Sequence, residues 1–87
     1  MWYLYILKCA DGSLYIGTTT DIVRRLKEHA IGKGGFYTRG RLPVSLLHQE
    51  AHPDRSTAER REAQLKRWSR AKKLALVAGD KAFLKQL

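Results

Sequence analysis

The stretch Trp2–Thr18 reads WYLYILKCADGSLYIGT and decides the fold. Its opening residues are aromatic or aliphatic, which predicts a β-strand over Trp2–Cys9. A turn sequence, Ala-Asp-Gly-Ser, follows at residues 10–13, and its glycine tolerates the positive φ that hairpin turns require. Leu14–Thr18 is then expected to return as the second strand. Both faces of the first strand are apolar, so we expect helices to cover much of both.

The next segment has the apolar spacing of an amphipathic helix, which we predict over Asp21–Ala30. Thr20 is the expected N-cap. Apolar residues recur at Ile22, Leu26 and Ala30, four residues apart, and form the expected inward stripe. A flexible, glycine-rich loop is expected to follow from residue 32 to residue 41.

The remainder of the chain predicts a third strand followed by helices. Residues 56–59 read STAE, a capping box that predicts where the first of these helices begins. Eighty-seven residues are too few for two cores, so we predict one compact α+β domain over residues 1–87. The expected elements are a strand over Val44–Glu50, a helix to about Trp68, a helix over Arg70–Ala78 capped by Ser69 and ended by Gly79, and a short terminal helix over Asp80–Leu87.

Seventeen lysines and arginines face eight acidic residues, which gives a formal net charge of +9. Charge of this size predicts a polyanionic partner, and nucleic acid is the first expectation. A solvated basic surface is the alternative. Eight of the 17 basic residues fall between Arg55 and Lys73, and a second group lies between Arg24 and Arg41. The candidate nucleic-acid contacts are Arg24, Lys33, Tyr37, Thr38, Arg39, Arg41, Arg70, Lys72 and Lys73.

Several classes of protein are not expected. A single cysteine, Cys9, excludes an intramolecular disulfide and fits a reducing compartment, so the expected location is the cytoplasm. One cysteine and three scattered histidines show no zinc spacing. No apolar run is long enough to cross a membrane, and no segment sets a bulky aromatic face opposite a basic one.

Two tyrosines ten residues apart, with an arginine ten residues after the second, form the main chemical pattern. They are Tyr5, Tyr15 and Arg25, and His29 follows Arg25 on the same row of the predicted helix. A phenol pair, a fixed cation and an imidazole can serve phosphodiester hydrolysis. Core or rim tyrosines and a solvated arginine are the alternative explanations.

Glu62 is the acidic residue that calls for explanation. It lies on or at the edge of the apolar face of its predicted helix, where a carboxylate is unfavourable unless it is paired or bound to a cation. A surface ion pair with Lys66, four residues on, is one explanation. Coordination of a hard divalent cation by the carboxylate oxygens is the other.

Together these residues resemble the GIY-YIG nuclease superfamily, and in particular its small single-domain bacterial proteins. The resemblance rests on residues 2–7, 11–17, 24–29 and 61–66 in this order. It implies a three-stranded antiparallel sheet flanked by helices. It also implies hydrolysis of DNA phosphodiester bonds by water, with one Mg²⁺ or Mn²⁺ ion held by Glu62. The implied catalytic residues are Tyr5, Tyr15, Arg25 and His29.

The sequence leaves some roles open. Either tyrosine can be the base; we favour Tyr5, with Tyr15 orienting water or metal and His29 assisting. Tyr3 replaces the first glycine of the family pattern, Thr18 stands where many members have lysine, and the chain has no asparagine. The alternative function is therefore a catalytically weak nucleic-acid-binding module of a repair, recombination or RNA-associated complex. Without an added sequence-reading module, binding directed by DNA structure or backbone is expected.

Overall fold

The computed structural model describes residues 1–80, so the predicted terminal helix lies outside the described residues beyond Asp80. Three strands form one antiparallel sheet in the order β2-β1-β3, and helices flank it. The α+β prediction is therefore confirmed. The elements are β1 Trp2–Lys8, β2 Leu14–Thr19, α1 Ile22–Ala30, α2 Phe36–Arg39, β3 Ser45–His52, α3 Arg55–Lys66 and α4 Arg70–Ala78.

The register of the first hairpin brings the two tyrosines together. Tyr5 pairs with Gly17, and Leu7 pairs with Tyr15. Residues directly opposite each other share a face of the sheet, so Tyr5 and Tyr15 are diagonal neighbours on one face. Gly17 is required for this arrangement, because a Cβ atom there would lie 2.5 Å from Tyr5 Oη.

The hydrophobic core lies on the other face of the sheet. Leu4, Ile6, Ile16 and Leu65 are buried there, and α3 supplies the leucine. Trp68 packs against this cluster, together with Leu14 of β2 and Leu76 and Val77 of α4. The molecule therefore separates its core, beneath α3 and α4, from a tyrosine face. No helix within residues 1–80 is long and apolar enough to span a bilayer.

Helix α1 has a different cap and a different inward row from those predicted. Asp21 is the N-cap and accepts a hydrogen bond from the Arg24 backbone N–H, so the prediction of Thr20 was wrong. Aspartate caps at least as well as threonine and stands one residue closer to the helix. Ala30 is exposed, whereas His29 is the buried residue of α1. The sheet face beneath this helix carries a tyrosine hydroxyl, which can hydrogen-bond the imidazole.

Helix α3 begins before the predicted capping box. Asp54 is its N-cap and accepts hydrogen bonds from both the backbone N–H and the hydroxyl of Thr57, each at 2.8 Å. The predicted box at residues 56–59 was therefore wrong. Its glutamate, Glu59, instead accepts from Arg55 Nε at 2.7 Å. Asp54 stands two residues before Ser56, and its ionised carboxylate is the stronger acceptor for a free N–H group of the first turn.

The remaining elements are close to their predictions. Helix α4 has the predicted bounds, with Ser69 as N-cap and Gly79 ending it in the left-handed conformation. Strand β3 begins one residue later and ends two residues later than predicted. The loop over residues 32–41 contains a single helical turn, α2, and packs back onto the tyrosine face through buried residues.

Candidate active site

Tyr5 is the centre of a buried polar cluster between β1 and α1. Its Oη atom lies 3.1 Å from His29 Nε2 and 3.4 Å from Arg25 Nε. Tyr5 is 2% exposed. Burial raises the pKa of the Tyr5 phenol to about 12, and the hydrogen bond from Arg25 only partly opposes this. The phenol is therefore neutral at rest, so it can accept a hydrogen bond from Arg25 and donate one of its own.

His29 has protein partners at both ring nitrogens. Its side chain is fully buried, and Nδ1 lies 2.7 Å from Thr38 Oγ1. Burial lowers the pKa of the imidazole, and the positive charge of Arg25 lowers it further. The ring is therefore neutral near pH 7, with one nitrogen donating and the other accepting.

Arg25 reaches the cluster from the helical turn before His29. Its Nη2 donates to the Gly34 carbonyl at 2.8 Å, and its Nη1 lies 3.4 Å from Glu28 Oε1. The Arg25 side chain is 29% exposed. A guanidinium held from three sides but still open to solvent has the geometry needed to bind the oxygens of a phosphate group.

Tyr15 connects the buried cluster to an open cleft. Its ring centroid lies 6.2 Å from that of Tyr5, 5.4 Å from His29 and 5.7 Å from Tyr37. Consecutive residues of β2 point to opposite faces, so the cleft crosses the edge of the sheet. Its volume is about 210 Å³, and it is lined by Leu14, Tyr15, Ile16, Tyr37, Lys66 and Lys73.

Glu62 lies next to this cleft, because it contacts Lys66, one of the residues that line it. Lys66 Nζ lies 3.3 Å from Glu62 Oε2, so the ion pair offered as an alternative by the sequence is present. No group of three or more histidine, cysteine or acidic side chains within residues 1–80 could hold a metal ion. Glu62 is nevertheless 23% exposed, and its oxygens suit Mg²⁺ or Mn²⁺. The donor set fits an ion that takes one protein carboxylate and fills its other positions with water and phosphate oxygens.

Five of the predicted nucleic-acid contacts lie on the surface. Lys73 lines the Tyr15 cleft. Lys33 and Arg39 line a second cleft of about 320 Å³, where Gly32 and Gly35 complete the wall. Arg24 on α1 and Arg70 on α4 are exposed. The structure therefore places all five at the protein surface.

Two further predicted contacts, Lys72 and Arg41, also stabilise neighbouring side chains. Lys72 Nζ lies 4.2 Å from the centroid of the Trp68 ring. Arg41 donates to Asp11 Oδ2 at 3.0 Å and to the Tyr37 carbonyl at 2.6 Å, and it lies over the Tyr37 ring at 4.2 Å. A base that stacks on that face of Tyr37, as the sequence suggested, would have to displace Arg41.

Thr38 corrects the prediction of a direct nucleic-acid contact. It is 1% exposed, and its hydroxyl contacts His29 rather than the surface. Gly34, also buried, packs against the same imidazole so closely that a methyl group there would overlap Nδ1. Nothing in the sequence distinguishes these two residues from ordinary loop residues, because no periodicity shows which loop positions turn inward.

A second polar cluster on β3 was not predicted. Glu50 accepts from Arg61 Nε and Nη2 at 3.1 Å each and lies 2.9 Å from His48 Nε2 and 3.3 Å from His52 Nε2. Burial raises the pKa of the Glu50 carboxyl, but the hydrogen bonds from Arg61 and His48 outweigh it and hold the pKa at about 2. The spacing of His48, Glu50 and His52 at every second residue was the available signal.

Comparison with known proteins places this geometry in a family. Residues 1–75 match the family model of the GIY-YIG catalytic domain. The chain is 55% identical over 75 residues to a UPF0213 protein of Streptococcus sanguinis, with 86% of each chain covered. It is 51% identical over 78 residues to a UPF0213 protein of Natronomonas pharaonis, covering 90% of this chain and 92% of that relative. The solution NMR structure of the UPF0213 protein BH0048 from Bacillus halodurans is similar, with a TM-score of 0.58 and 52% identity over 90% of this chain and 84% of that one.

Proposed function

Because the chain belongs to the GIY-YIG catalytic domain family, we propose that it is a metal-dependent endonuclease that hydrolyses DNA phosphodiester bonds. One observation carries the proposal: Tyr5 Oη lies within hydrogen-bonding distance of both the His29 imidazole and the Arg25 guanidinium. A phenol between a proton acceptor and a fixed cation can exchange its proton, which general base catalysis requires. The net charge of +9 supports a polyanionic substrate.

The residues of the cluster divide the reaction between them. Arg25 binds the non-bridging oxygens of the scissile phosphate and stabilises the negative charge that grows in the transition state. The Tyr5 proton moves to His29 Nε2, and the resulting phenolate accepts a proton from the attacking water. The water oxygen bonds to phosphorus, the ester P–O bond breaks, and the leaving oxygen takes a proton from solvent. His29 then releases its extra proton to solvent.

Tyr15 and Glu62 act on water and the metal ion at the cleft in this mechanism. Tyr15 lines the cleft with Lys66 and Lys73, where its hydroxyl can orient water beside a bound phosphate. Glu62 would hold Mg²⁺ or Mn²⁺, and Lys66 would leave the carboxylate when the ion binds. When bound, the ion polarises the phosphate and stabilises the leaving oxygen.

The basic residues favour recognition of backbone and shape. Lys73, Lys33 and Arg39 line two open clefts, and such side chains contact phosphates without reading base identity. A small domain with few residues that could read bases therefore fits structure-directed binding with little sequence specificity. Branched or flapped DNA is the substrate class that such binding would select.

A catalytically weak nucleic-acid-binding module is the second candidate. It is favoured by the Lys66–Glu62 ion pair, which occupies the only carboxylate proposed for the metal. The high pKa of Tyr5 also makes its resting phenol a poor base. Under this alternative the same basic clefts bind DNA or RNA, within a repair, recombination or RNA-associated complex, without cleaving it.

Nicking assays on plain, branched and flapped DNA with Mg²⁺ or Mn²⁺ separate the two candidates. We expect metal-dependent cleavage that Tyr5→Phe reduces by about 100-fold or more, because the ring still packs but the general base is gone. Tyr15→Phe is the matched variant and should retain more activity. Binding of these substrates without cleavage in either metal would favour the binding module.

A further inference from the structure

The His29 ring lies between two hydroxyl groups in the protein interior, and each ring nitrogen contacts one of them. Thr38 Oγ1 of α2 lies 2.7 Å from Nδ1, and Tyr5 Oη of β1 lies 3.1 Å from Nε2. All three side chains are at most 2% exposed. The protein partners at the two nitrogens, rather than solvent, therefore decide which nitrogen carries the proton.

Arg25 determines the direction of the hydrogen bond between Tyr5 and His29. A guanidinium can only donate, so the 3.4 Å contact from Arg25 Nε uses Tyr5 Oη as an acceptor. The phenol hydrogen is then available to His29 Nε2, 3.1 Å away, and an unprotonated Nε2 accepts it. In a neutral ring the proton consequently lies on Nδ1 and is donated to Thr38. The opposite tautomer would point two N–H donors at the Tyr5 oxygen and send the phenol hydrogen away from both.

We propose that Thr38 is a positioning residue of the active site: by accepting the Nδ1–H of His29, it stabilises the tautomer that Arg25 favours through Tyr5, in which Nε2 is free to take the Tyr5 proton. This inference rests on the proposed function. When the proton moves, the Tyr5 O–H bond breaks and an Nε2–H bond forms. The resulting imidazolium has two N–H donors, and the Tyr5 phenolate and the Thr38 hydroxyl accept one each.

The backbone before Thr38 supports the same role. Gly34 packs directly against the imidazole, and its carbonyl accepts from Arg25 Nη2 at 2.8 Å. One segment, residues 34–38, therefore positions both the imidazole and the guanidinium. Such an arrangement, a base oriented by a third group, is a recurrent feature of active sites.

Nitrogen-15 NMR of the full chain with labelled histidine reads the tautomer of His29 directly. We compare wild type with Thr38→Val, which keeps the branched shape without the hydroxyl, and with Thr38→Ser, which restores it. Thr20→Val, at an exposed threonine, is the matched control. Wild type, Thr38→Ser and the control should show the Nδ1–H tautomer, whereas Thr38→Val should shift population toward Nε2–H.

A pH titration of the same samples adds a second measurement. Tyr5 and Tyr15 from the sheet and Arg25 and Glu28 from α1 are charged or titratable groups near the ring, and none of them changes in the variants. Loss of the Thr38 acceptor leaves the imidazolium one partner short, so the His29 midpoint should fall in Thr38→Val and return in Thr38→Ser. An Nε2–H tautomer in wild type or Thr38→Ser, or an unchanged tautomer in Thr38→Val, would overturn the inference.

Cleavage assays keep this inference distinct from the proposed function. In an active enzyme, Thr38→Val should lower the single-turnover rate by about 10-fold or more at unchanged DNA affinity, and Thr38→Ser should restore it. The predicted tautomer pattern in a protein that cleaves no DNA would remove the proposed function but leave the assignment of Thr38 to His29. If Thr38→Val does not fold, the tautomer in wild type and Thr38→Ser still decides the inference.

Discussion

A substitution at Arg25 can separate the effect on the cleavage rate from the effect on DNA affinity. Its guanidinium contacts Tyr5 and Gly34 while remaining 29% exposed, and the proposed mechanism places it beside the reacting phosphate. We predict that Arg25→Ala slows single-turnover cleavage by about 100-fold to 1,000-fold, as removal of a transition-state donor does. DNA affinity should fall far less, because 16 other basic residues remain.

Anisotropy and cleavage measured on one preparation provide the test for Arg25. Lys27→Ala, an exposed basic residue on the same helix, is the matched control. Equal losses of rate and affinity in Arg25→Ala would assign Arg25 to general binding instead.

Gly34 is the second residue with a direct test. A methyl group there would overlap the His29 ring, so we predict that Gly34→Ala destabilises the fold by about 1–3 kcal/mol, the usual range for overpacking. Gly40→Ala is the matched control, since a Cβ atom there meets nothing within 4 Å and φ is −90°. Thermal unfolding of both variants is the measurement. Equal melting temperatures would contradict the close packing of Gly34 on His29.

Residue spacing predicted part of this cluster and missed the rest. Tyr5, Tyr15, Arg25 and His29 could be found from the sequence because strand register and helix rows bring fixed spacings together. Thr38 and Gly34 could not, since an irregular loop has no periodicity to show which side chains turn inward. The same limit explains why Thr38 was predicted to contact nucleic acid rather than His29.

At the scale of elements, β3 and α3 are joined by the Glu50–Arg61 pair. Glu50 is 20% exposed, and its pKa is lowered from 4.5 to about 2. A lowered pKa contributes stability above the unfolded value of 4.5, and this stability is lost as pH falls toward 2. A shift of this size corresponds to about 3 kcal/mol. We predict that Glu50→Gln destabilises the protein near neutral pH by an amount of this order and flattens the acid limb of its stability curve.

Urea unfolding at a series of pH values from about 2 to about 7 measures the contribution of Glu50 to the free energy of unfolding. Glu59→Gln is the matched control, because its carboxylate is 48% exposed and its pair with Arg55 should be worth less than about 1 kcal/mol. Parallel stability curves for wild type and Glu50→Gln would show that the pair does not join the two elements energetically.

The boundaries of the elements were less predictable than their order. Strand β1, strand β2 and helix α4 followed from apolar runs, a turn and a terminal glycine. The starts of α1 and α3 did not follow, because Thr20 stands beside Asp21, and Asp54 stands two residues before Ser56. Each of these side chains can cap a helix, so capping propensity alone does not identify which residue begins it.

At the scale of the whole molecule, the basic surface predicts a strong dependence of binding on salt. Four or five phosphate contacts, at about −0.9 each on duplex DNA, give a slope of log affinity against log salt of roughly −4. Arg70→Glu with Lys73→Glu should make this slope shallower. Lys72 is left intact because its stem packs on Trp68. Lys8→Glu, at an exposed site on β1, is a control for the effect of reversing one charge away from the clefts, to be compared with Lys73→Glu alone. A slope near zero would contradict nucleic-acid binding.

The overall arrangement explains why the sequence did not predict the Tyr15 cleft, although several residues that line it were predicted to be functional. Tyr15, Tyr37 and Lys73 come from three separated parts of the chain and meet only because α4 and the α2 turn both reach the β2 edge. Composition predicted a basic surface, and the tyrosine pattern predicted a catalytic face. How the two join depends on how the elements pack, which no local pattern encodes.

Single-turnover cleavage of a labelled flapped DNA by wild type and by Glu62→Gln, with Mg²⁺ or Mn²⁺, tests the central claim most directly. The substitution keeps the size of the side chain but removes the charge that holds a divalent cation. We predict metal-dependent cleavage by wild type and none by Glu62→Gln, with equal DNA affinity and equal melting temperature. Full activity of Glu62→Gln, or no cleavage by wild type in either metal, would contradict a metal-dependent nuclease that relies on Glu62.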